Sequence, residues 1–356
     1  MVRTEIKTRC ALRQAAETSA MQRQMRFLAG VTFLRTGTVV LTPRAGAAQW
    51  WLAALCGLFP VLLAAFLLLM MRKSGADTLS ECVAKRLGQR AANGLRVLEG
   101  AALLMEGLCS MTALVVLFTE GVNTAANPMV IALVTAGTLA LCARQPGLWR
   151  SVGLLTAPLG LMAACVLGNL LALARADHFF PLLGEGVEAC LHAGRLGLGG
   201  MWPVLLLTEC PPVQKTGRSG RKTGLPLACT ALLAGVSAAL PHEVLYGRES
   251  LAGTMLLAGS FLHPINRMLL MCLWMAGLGL ATAICCTEAA RFFPWPKGEG
   301  ACLVPALLLL LALLQGFGTS AMQSAAQAAQ GWLWTPYALA ALLLALAVLG
   351  QRSARR

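Results

Sequence analysis

Apolar residues in this chain gather into runs of roughly 18 to 25 residues, separated by short polar and basic stretches. A helix of that length crosses a hydrocarbon core of roughly 30 Å. The chain is therefore predicted to be an all-α polytopic membrane protein. The pattern predicts ten transmembrane segments, which cover 26–44, 49–71, 95–118, 127–143, 149–174, 197–213, 224–241, 264–289, 300–319 and 333–350.

Charge placement supports the same topology. The 356 residues are 57% hydrophobic and only 12% charged, whereas soluble domains carry roughly a quarter charged residues. With the N-terminus inside, the cytoplasmic pieces contain 23 Lys and Arg residues and the outer pieces contain 4. This split follows the positive-inside rule. The net charge of +14 is thus explained by topology rather than by a nucleic-acid partner.

The pattern divides the chain into three parts. Residues 1–25 are predicted to form a basic cytoplasmic tail, 26–350 the ten-helix membrane domain, and 351–356 a second cytoplasmic tail. Residues 1–25 are polar and basic, so no secretory signal peptide is predicted. Ten spans also fit two halves, 26–174 and 197–350, related by inversion as in many secondary transporters.

Two connections between the spans bear on the structure. Thr78 and Glu81 form a T-x-x-E capping box, and Leu79, Val83 and Leu87 follow at helical spacing. This pattern predicts a short helix in the cytoplasmic interface. Residues 176–196 are predicted to form a long outer connection.

In the inverted-repeat plan the first helix of each half is interrupted and binds the substrate. Segment one carries Gly37 between two threonines, and segment six opens with Gly199, Gly200 and, soon after, Pro203. Such residues also serve close helix packing, but their matched positions in the two halves favour a site. The predicted ligand-binding residues are Thr36, Gly37, Thr38, Gly199, Gly200 and Trp202.

Ionisable residues inside apolar segments supply a second indication, because a charge near the bilayer centre costs about 2.5–3.5 kcal/mol on insertion scales. Arg35, Glu106 and Glu209 are the predicted charge or proton-coupling residues. An Arg35–Glu209 pair and an Arg35–Glu106 pair both remain open. Glu99 is expected to be structurally paired, and Glu288 is expected to be solvated.

The sequence offers no enzyme, cofactor or metal signature. It contains no Ser/His/Asp set and no cofactor fingerprint, and its four histidines lack ligand spacing. The thirteen cysteines are mostly single and apolar in context, so they are predicted to act as small hydrophobic side chains.

Eight stretches stand in order along residues 26–350: Gly37-Thr38, Pro43, QWWLAALCGLFP (49–60), DTLSE (77–81), ANP (126–128), HFFPLLGEG (178–186), CPPV (210–213) and SFLHPINRM (260–268). Together they resemble the spore germination permease family, the B subunits of nutrient germinant receptors. That family belongs to the amino acid–polyamine–organocation transporter superfamily. In place of an acidic residue that the family often carries after the segment-six glycines, this chain has Met201, Trp202 and Pro203.

The resemblance implies a ten-helix inverted-repeat fold with broken helices one and six and a germinant pocket between them. It also implies an amino-acid-like ligand, an A subunit and a lipoprotein C subunit as partners, and the spore inner membrane as location. A secondary amino-acid or polyamine transporter in the cell membrane, with or without proton coupling, has the same predicted fold and remains the alternative. A structural subunit with a vestigial pocket is a third.

Overall fold

The structure is a computed structural model. It describes residues 21–32, 35, 49–122, 125, 127–143, 152, 154–161, 186–210, 264–293 and 331–353. All regular secondary structure in these residues is helical, so the predicted all-α class is confirmed for the described part of the chain.

The helices follow the predicted segments closely where both are described, with longer ends. α4, for example, begins at Gln89 rather than at 95, because a polar turn precedes its apolar run. A 3-10 helix, Trp202–Glu209, follows α7 directly. The helices are α1 (residues 21–32), α2 (Gln49–Ser74), α3 (Leu79–Leu87), α4 (Gln89–Gly121), α5 (Pro128–Ala143), α6 (residues 154–161), α7 (Val187–Met201), α8 (Pro264–Phe292) and α9 (Thr335–Ser353).

Three helical stretches are long and apolar enough to cross a membrane: Leu55–Ser74 in α2, Gln89–Thr119 in α4 and Met271–Phe292 in α8. By length and composition the protein is therefore a helical membrane protein. The segments predicted at 224–241 and 300–319 lie outside the described residues. The ten-span count and the inverted repeat stay predictions.

α4 and α8 pack along each other and form the centre of the described structure. Gly100 of α4 makes this possible at one end, because a Cβ there would stand 3.0 Å from the ring of Phe293. Trp274 of α8 and Leu103 of α4 are completely buried. Residues 21–25, which were assigned to the tail, already belong to helix α1, and Met25 is completely buried.

The start of α7 differs from the sequence prediction. Residues 187–196 were assigned to an outer connection, and the structure places them in a helix. Glycines let this helix approach α2 closely: a Cβ on Gly194 would stand 3.3 Å from the sulfur of Cys56, and one on Gly57 would stand 3.3 Å from Met201. The segment mixes apolar, polar and glycine residues without a long apolar run, so hydropathy did not reveal it.

The short helix α3 is confirmed, and Thr78 caps its N-terminus, while Glu81 reaches back to the amide of Asp77 rather than to that of Thr78. The Glu81 amide donates to Thr78 Oγ1 at 3.2 Å, and the Asp77 amide donates to Glu81 Oε2 at 2.8 Å. Leu79 and Val83 are buried. The apolar face of α3 therefore packs on protein, chiefly on α4.

Candidate functional site

A buried carboxylate on α4 accepts hydrogen bonds from three parts of the chain. Glu106 Oε1 accepts from Arg35 Nη2 at 2.6 Å and from Thr32 Oγ1 at 2.9 Å, both in segment one. Glu106 Oε2 accepts from Trp202 Nε1 at 3.1 Å, at the start of the 3-10 helix. Ser110, one turn along α4, donates to Oε1 at 3.4 Å. These five residues are called the Glu106 cluster.

The Glu106 cluster is shielded from water. Glu106 and Trp202 are fully buried, and Arg35 is 3% exposed. The thiols of Cys109 and Cys285 lie beside the ion pair. Burying an ion costs several kcal/mol, which short charge-assisted hydrogen bonds offset only while both partners are present. Each charge of the pair therefore depends on the other.

This geometry decides which glutamate pairs with Arg35. The sequence left Glu106 and Glu209 open, and the structure selects Glu106. Trp202 and Glu209 stand at opposite ends of the 3-10 helix, roughly 14 Å apart at about 2 Å per residue. Glu209 is thus held at a different place.

Glu209 accepts two hydrogen bonds from one residue of α3. The Ser80 amide donates to Oε1 at 2.8 Å, and the Ser80 hydroxyl donates to Oε2 at 2.9 Å. The first amides of a helix have no partner within the helix and favour a negative charge. Glu209 therefore fastens the far end of the 3-10 helix to the N-terminus of α3.

Segment six changes conformation just after its glycines. Gly199 and Gly200 are buried in the last turn of α7, and the α-helix ends at Met201. Pro203 has no amide hydrogen, so it cannot donate to the carbonyl of Gly199. The chain continues as the 3-10 helix and becomes extended at Cys210, with φ −87° and ψ 120°. The α-helical conformation therefore ends at Met201, while the broken helix of the inverted-repeat plan stays a prediction.

Segment one is described only in part. Residues 21–32 and Arg35 are helical. Thr36, Gly37 and Thr38 lie outside the described residues, so the predicted break in segment one stays a prediction. Of the predicted site residues, the structure joins Arg35, Glu106 and Trp202 in one cluster.

A second buried polar group lies around Glu99. Glu99 on α4 and Tyr337 on α9 are fully buried and adjacent. The Tyr337 hydroxyl lies beside the Glu99 carboxyl group without the geometry of a full hydrogen bond, and the charge of Arg96 also acts on Glu99. Glu209 lies close enough to Glu99 for electrostatic interaction. Glu99 therefore has neighbours of the kind that the sequence predicts, but it is bound less closely than Glu106, and Tyr337 gave no signal within its apolar run.

The prediction that Glu288 is solvated is wrong. Glu288 is completely buried on α8 and accepts a hydrogen bond from Arg291 Nη1 at 2.8 Å. Arg291 is 60% exposed, so it spans from the buried carboxylate to the surface in the manner of long basic side chains. α8 packs on α4. This packing buries Glu288, although Glu288 lies near the end of the apolar run.

Among the described residues, no group of three or more His, Cys, Asp or Glu side chains could hold a metal ion. No model of a known protein family matches the chain, and no curated protein matches its sequence.

Proposed function

We propose that the chain is the integral membrane subunit of a spore nutrient-germinant receptor, and that it binds a small amino-acid-like germinant between segments one and six. The observation that supports a site there is the Glu106 cluster, in which one carboxylate holds Arg35 of segment one and Trp202 of segment six. The spore context and the A and C partner subunits rest on the resemblance to the spore germination permease family.

The cluster has the chemistry to bind an amino acid by exchange. The ligand's carboxylate binds the Arg35 guanidinium, and its ammonium group binds Glu106, so that two ligand ion pairs replace the internal one. Thr36, Gly37, Thr38, Gly199 and Gly200 supply backbone groups around the ligand. In this exchange Glu106 no longer accepts the hydrogen bond from Trp202. The ligand therefore has different affinities for the arrangements with and without that bond, and such a difference is what shifts a conformational equilibrium.

The 3-10 helix gives such a shift a route to the surface. Its first residue is tied to Glu106 through Trp202, and its last residue, Glu209, is tied to Ser80 of α3. A 3-10 helix has poorer hydrogen-bond geometry than an α-helix and often marks a hinge. Displacement of Trp202 is therefore transmitted to α3, where partner subunits can respond.

The experiment is a gene deletion in the sporulating host. Spore germination is recorded as loss of optical density over a panel of amino acids, sugars and nucleosides. We expect loss of the response to one nutrient, restored by the wild type and by Gly30→Ala but not by Gly37→Leu. Gly30→Ala is the control, because a Cβ on Gly30 of α1 meets no atom within 4 Å. An unchanged germination profile would contradict the proposal.

A secondary amino-acid or polyamine transporter is the second candidate, favoured by Glu99. Glu99 is fully buried with Glu209 and Tyr337 beside it, and neighbouring buried ionisable groups are typical of proton relays in transporters. A transporter works alone, so the purified chain in liposomes should take up labelled substrate in response to a proton gradient. That uptake should be lost in Glu99→Gln. A receptor subunit should show no uptake without its partners.

A further inference from the structure

The connection between α2 and α4 lies at one surface of the membrane. The apolar span of α2 ends at Ser74 and that of α4 begins at Gln89. Only α3 and two short turns lie between them. Since both flanking helices cross the hydrocarbon core, the connection lies among the lipid headgroups or in the water beside them.

The apolar face of α3 is already covered by protein. Leu79, Cys82 and Val83 are buried, and Ser80 is bound to Glu209. α3 is therefore not held at the membrane by inserting apolar side chains. The part of this connection that faces the membrane surface is therefore its charged side chains.

Besides the exposed carboxylate of Asp77, the connection carries charges of two kinds. Lys85 Nζ lies 2.7 Å from Glu81 Oε1 and donates to the Gly75 carbonyl at 2.9 Å. The hydrogen bond from Lys85 lowers the pKa of Glu81, which therefore remains charged and neutralises the lysine. By contrast, three exposed cations have no ion-pair partner in the described residues, and they are called the basic surface: Arg72, Lys73 and Arg90.

We propose that the basic surface binds the phosphate headgroups of anionic phospholipids. Guanidinium groups match phosphate oxygens in a bidentate way, and ammonium groups bind them as point charges. Clusters of Lys and Arg next to a membrane helix are attracted to anionic lipid. Anionic lipid is favoured over an acidic protein because the basic surface lies at headgroup depth. The inference is independent of the proposed function.

The test measures lipid affinity of the purified full-length chain in a neutral detergent. Phosphatidylglycerol or phosphatidylcholine is added, and the unfolding temperature is followed against lipid concentration at low and high salt. We expect phosphatidylglycerol to stabilise the wild type more than phosphatidylcholine does, with a difference that salt reduces. Replacing Arg72, Lys73 and Arg90 together by Gln should weaken the apparent affinity for phosphatidylglycerol on the order of a hundredfold, at roughly fivefold per cation.

Arg195→Gln is the control. Arg195 is also exposed, but it lies toward the other end of α2, where neighbouring Gly194 meets Cys56. It should keep the full effect of phosphatidylglycerol. If the triple variant fails to fold, Lys73→Gln alone should show roughly a fivefold loss.

Three results would overturn the proposal: equal stabilisation by the two lipids, an undiminished effect in the variants of the basic surface, or equal loss in Arg195→Gln. Soluble glycerol phosphate serves as a further probe. Stabilisation by it at the same concentration as by phosphatidylglycerol would show a free anion site, and it would also overturn the assignment to a membrane surface.

Discussion

Glu99 and Glu106 stand two turns apart on one face of α4, and both are completely buried. Glu106 accepts hydrogen bonds from four side chains, one of them a guanidinium. Glu99 has the Tyr337 hydroxyl beside it, but no donor of the described residues bonds it with good geometry. One helix thus carries two carboxyl groups that are equally buried but differ in how closely they are bound. Other elements bring an arginine, a threonine and a tryptophan to Glu106, and they bring Tyr337 and the nearby Glu209 to Glu99.

Glu106 stabilises the ligand-free fold through its donors, because a buried charge that loses its partner is strongly destabilising. A ligand can therefore replace Arg35 or Trp202 at Glu106 only by supplying ion pairs of its own. Glu99 has fewer compensating partners, and a buried polar group of that kind is costly.

The largest effect is expected from Arg35→Met, which leaves the Glu106 charge buried without its cation. The free energy of unfolding, measured by denaturant titration in mixed micelles, should fall by about 3–5 kcal/mol. The double variant Arg35→Met/Glu106→Met should recover much of this loss, because no unpaired charge remains. If the loss of stability in the double variant equals the sum of the losses in Arg35→Met and Glu106→Met, the ion pair does not account for this stability.

The direct comparison is Glu106→Gln against Glu99→Gln. At position 106 the amide removes the negative charge opposite Arg35, and stability should fall by about 2–3 kcal/mol. At position 99 only the loose contact with the Tyr337 hydroxyl is affected, so stability should change by less than about 1 kcal/mol. The same unfolding measurement checks both variants. Equal losses of stability would mean that the partners of Glu99 stabilise the fold as much as those of Glu106 do, which would contradict the difference between the two carboxyl groups.

Trp202→Phe and Trp274→Phe sharpen the comparison on the donor side. Both indoles are fully buried, but only Trp202 Nε1 has a hydrogen-bond acceptor in the described residues. Both substitutions remove similar volume, so the difference between them isolates the bond to Glu106. Trp202→Phe should be the less stable of the two by about 1–2 kcal/mol. Equal stability would argue against the Trp202–Glu106 bond.

Ser80→Ala tests the other end of the 3-10 helix. The hydroxyl bond to Glu209 is lost while the amide bond remains, so we expect a loss of about 1 kcal/mol. Amide hydrogen exchange in α3 should become faster. Thr119→Ala, whose hydroxyl donates to the Val115 and Val116 carbonyls within α4, is the control and should leave exchange in α3 unchanged.

The smallest effect concerns the exposed Glu81–Lys85 pair. The folded pKa of Glu81 is lowered, first by the hydrogen bond from Lys85. Its contribution is therefore complete above the ordinary carboxyl pKa and is lost as pH falls through the lowered folded value. Hydrogen exchange in α3 should accelerate over that acidic range. Lys85→Gln should shift the acceleration to higher pH, and an unshifted profile would contradict the assignment.

Sequence reasoning reached the parts of the site that depend on local chemistry. A charge in an apolar run marked Arg35, Glu106 and Glu209, and T-x-x-E spacing located α3. It could not choose between two acids for Arg35, because that choice depends on how α4 meets segment one. The Ser80–Glu209 bond joins residues that lie far apart in the chain, so no spacing reveals it. Glu288 was misjudged because burial near a helix end depends on the neighbouring helix.

The central claim is that an amino acid binds where the Glu106 cluster joins segments one and six. The most direct measurement is the unfolding temperature of the purified chain with each standard amino acid in turn, for the wild type, Trp202→Phe and Trp274→Phe. A ligand that binds the folded state raises this temperature. At least one amino acid should stabilise the wild type and Trp274→Phe equally, and Trp202→Phe to a different extent. No shift with any amino acid, or the same shift in all three proteins, would contradict binding of an amino acid at the Glu106 cluster.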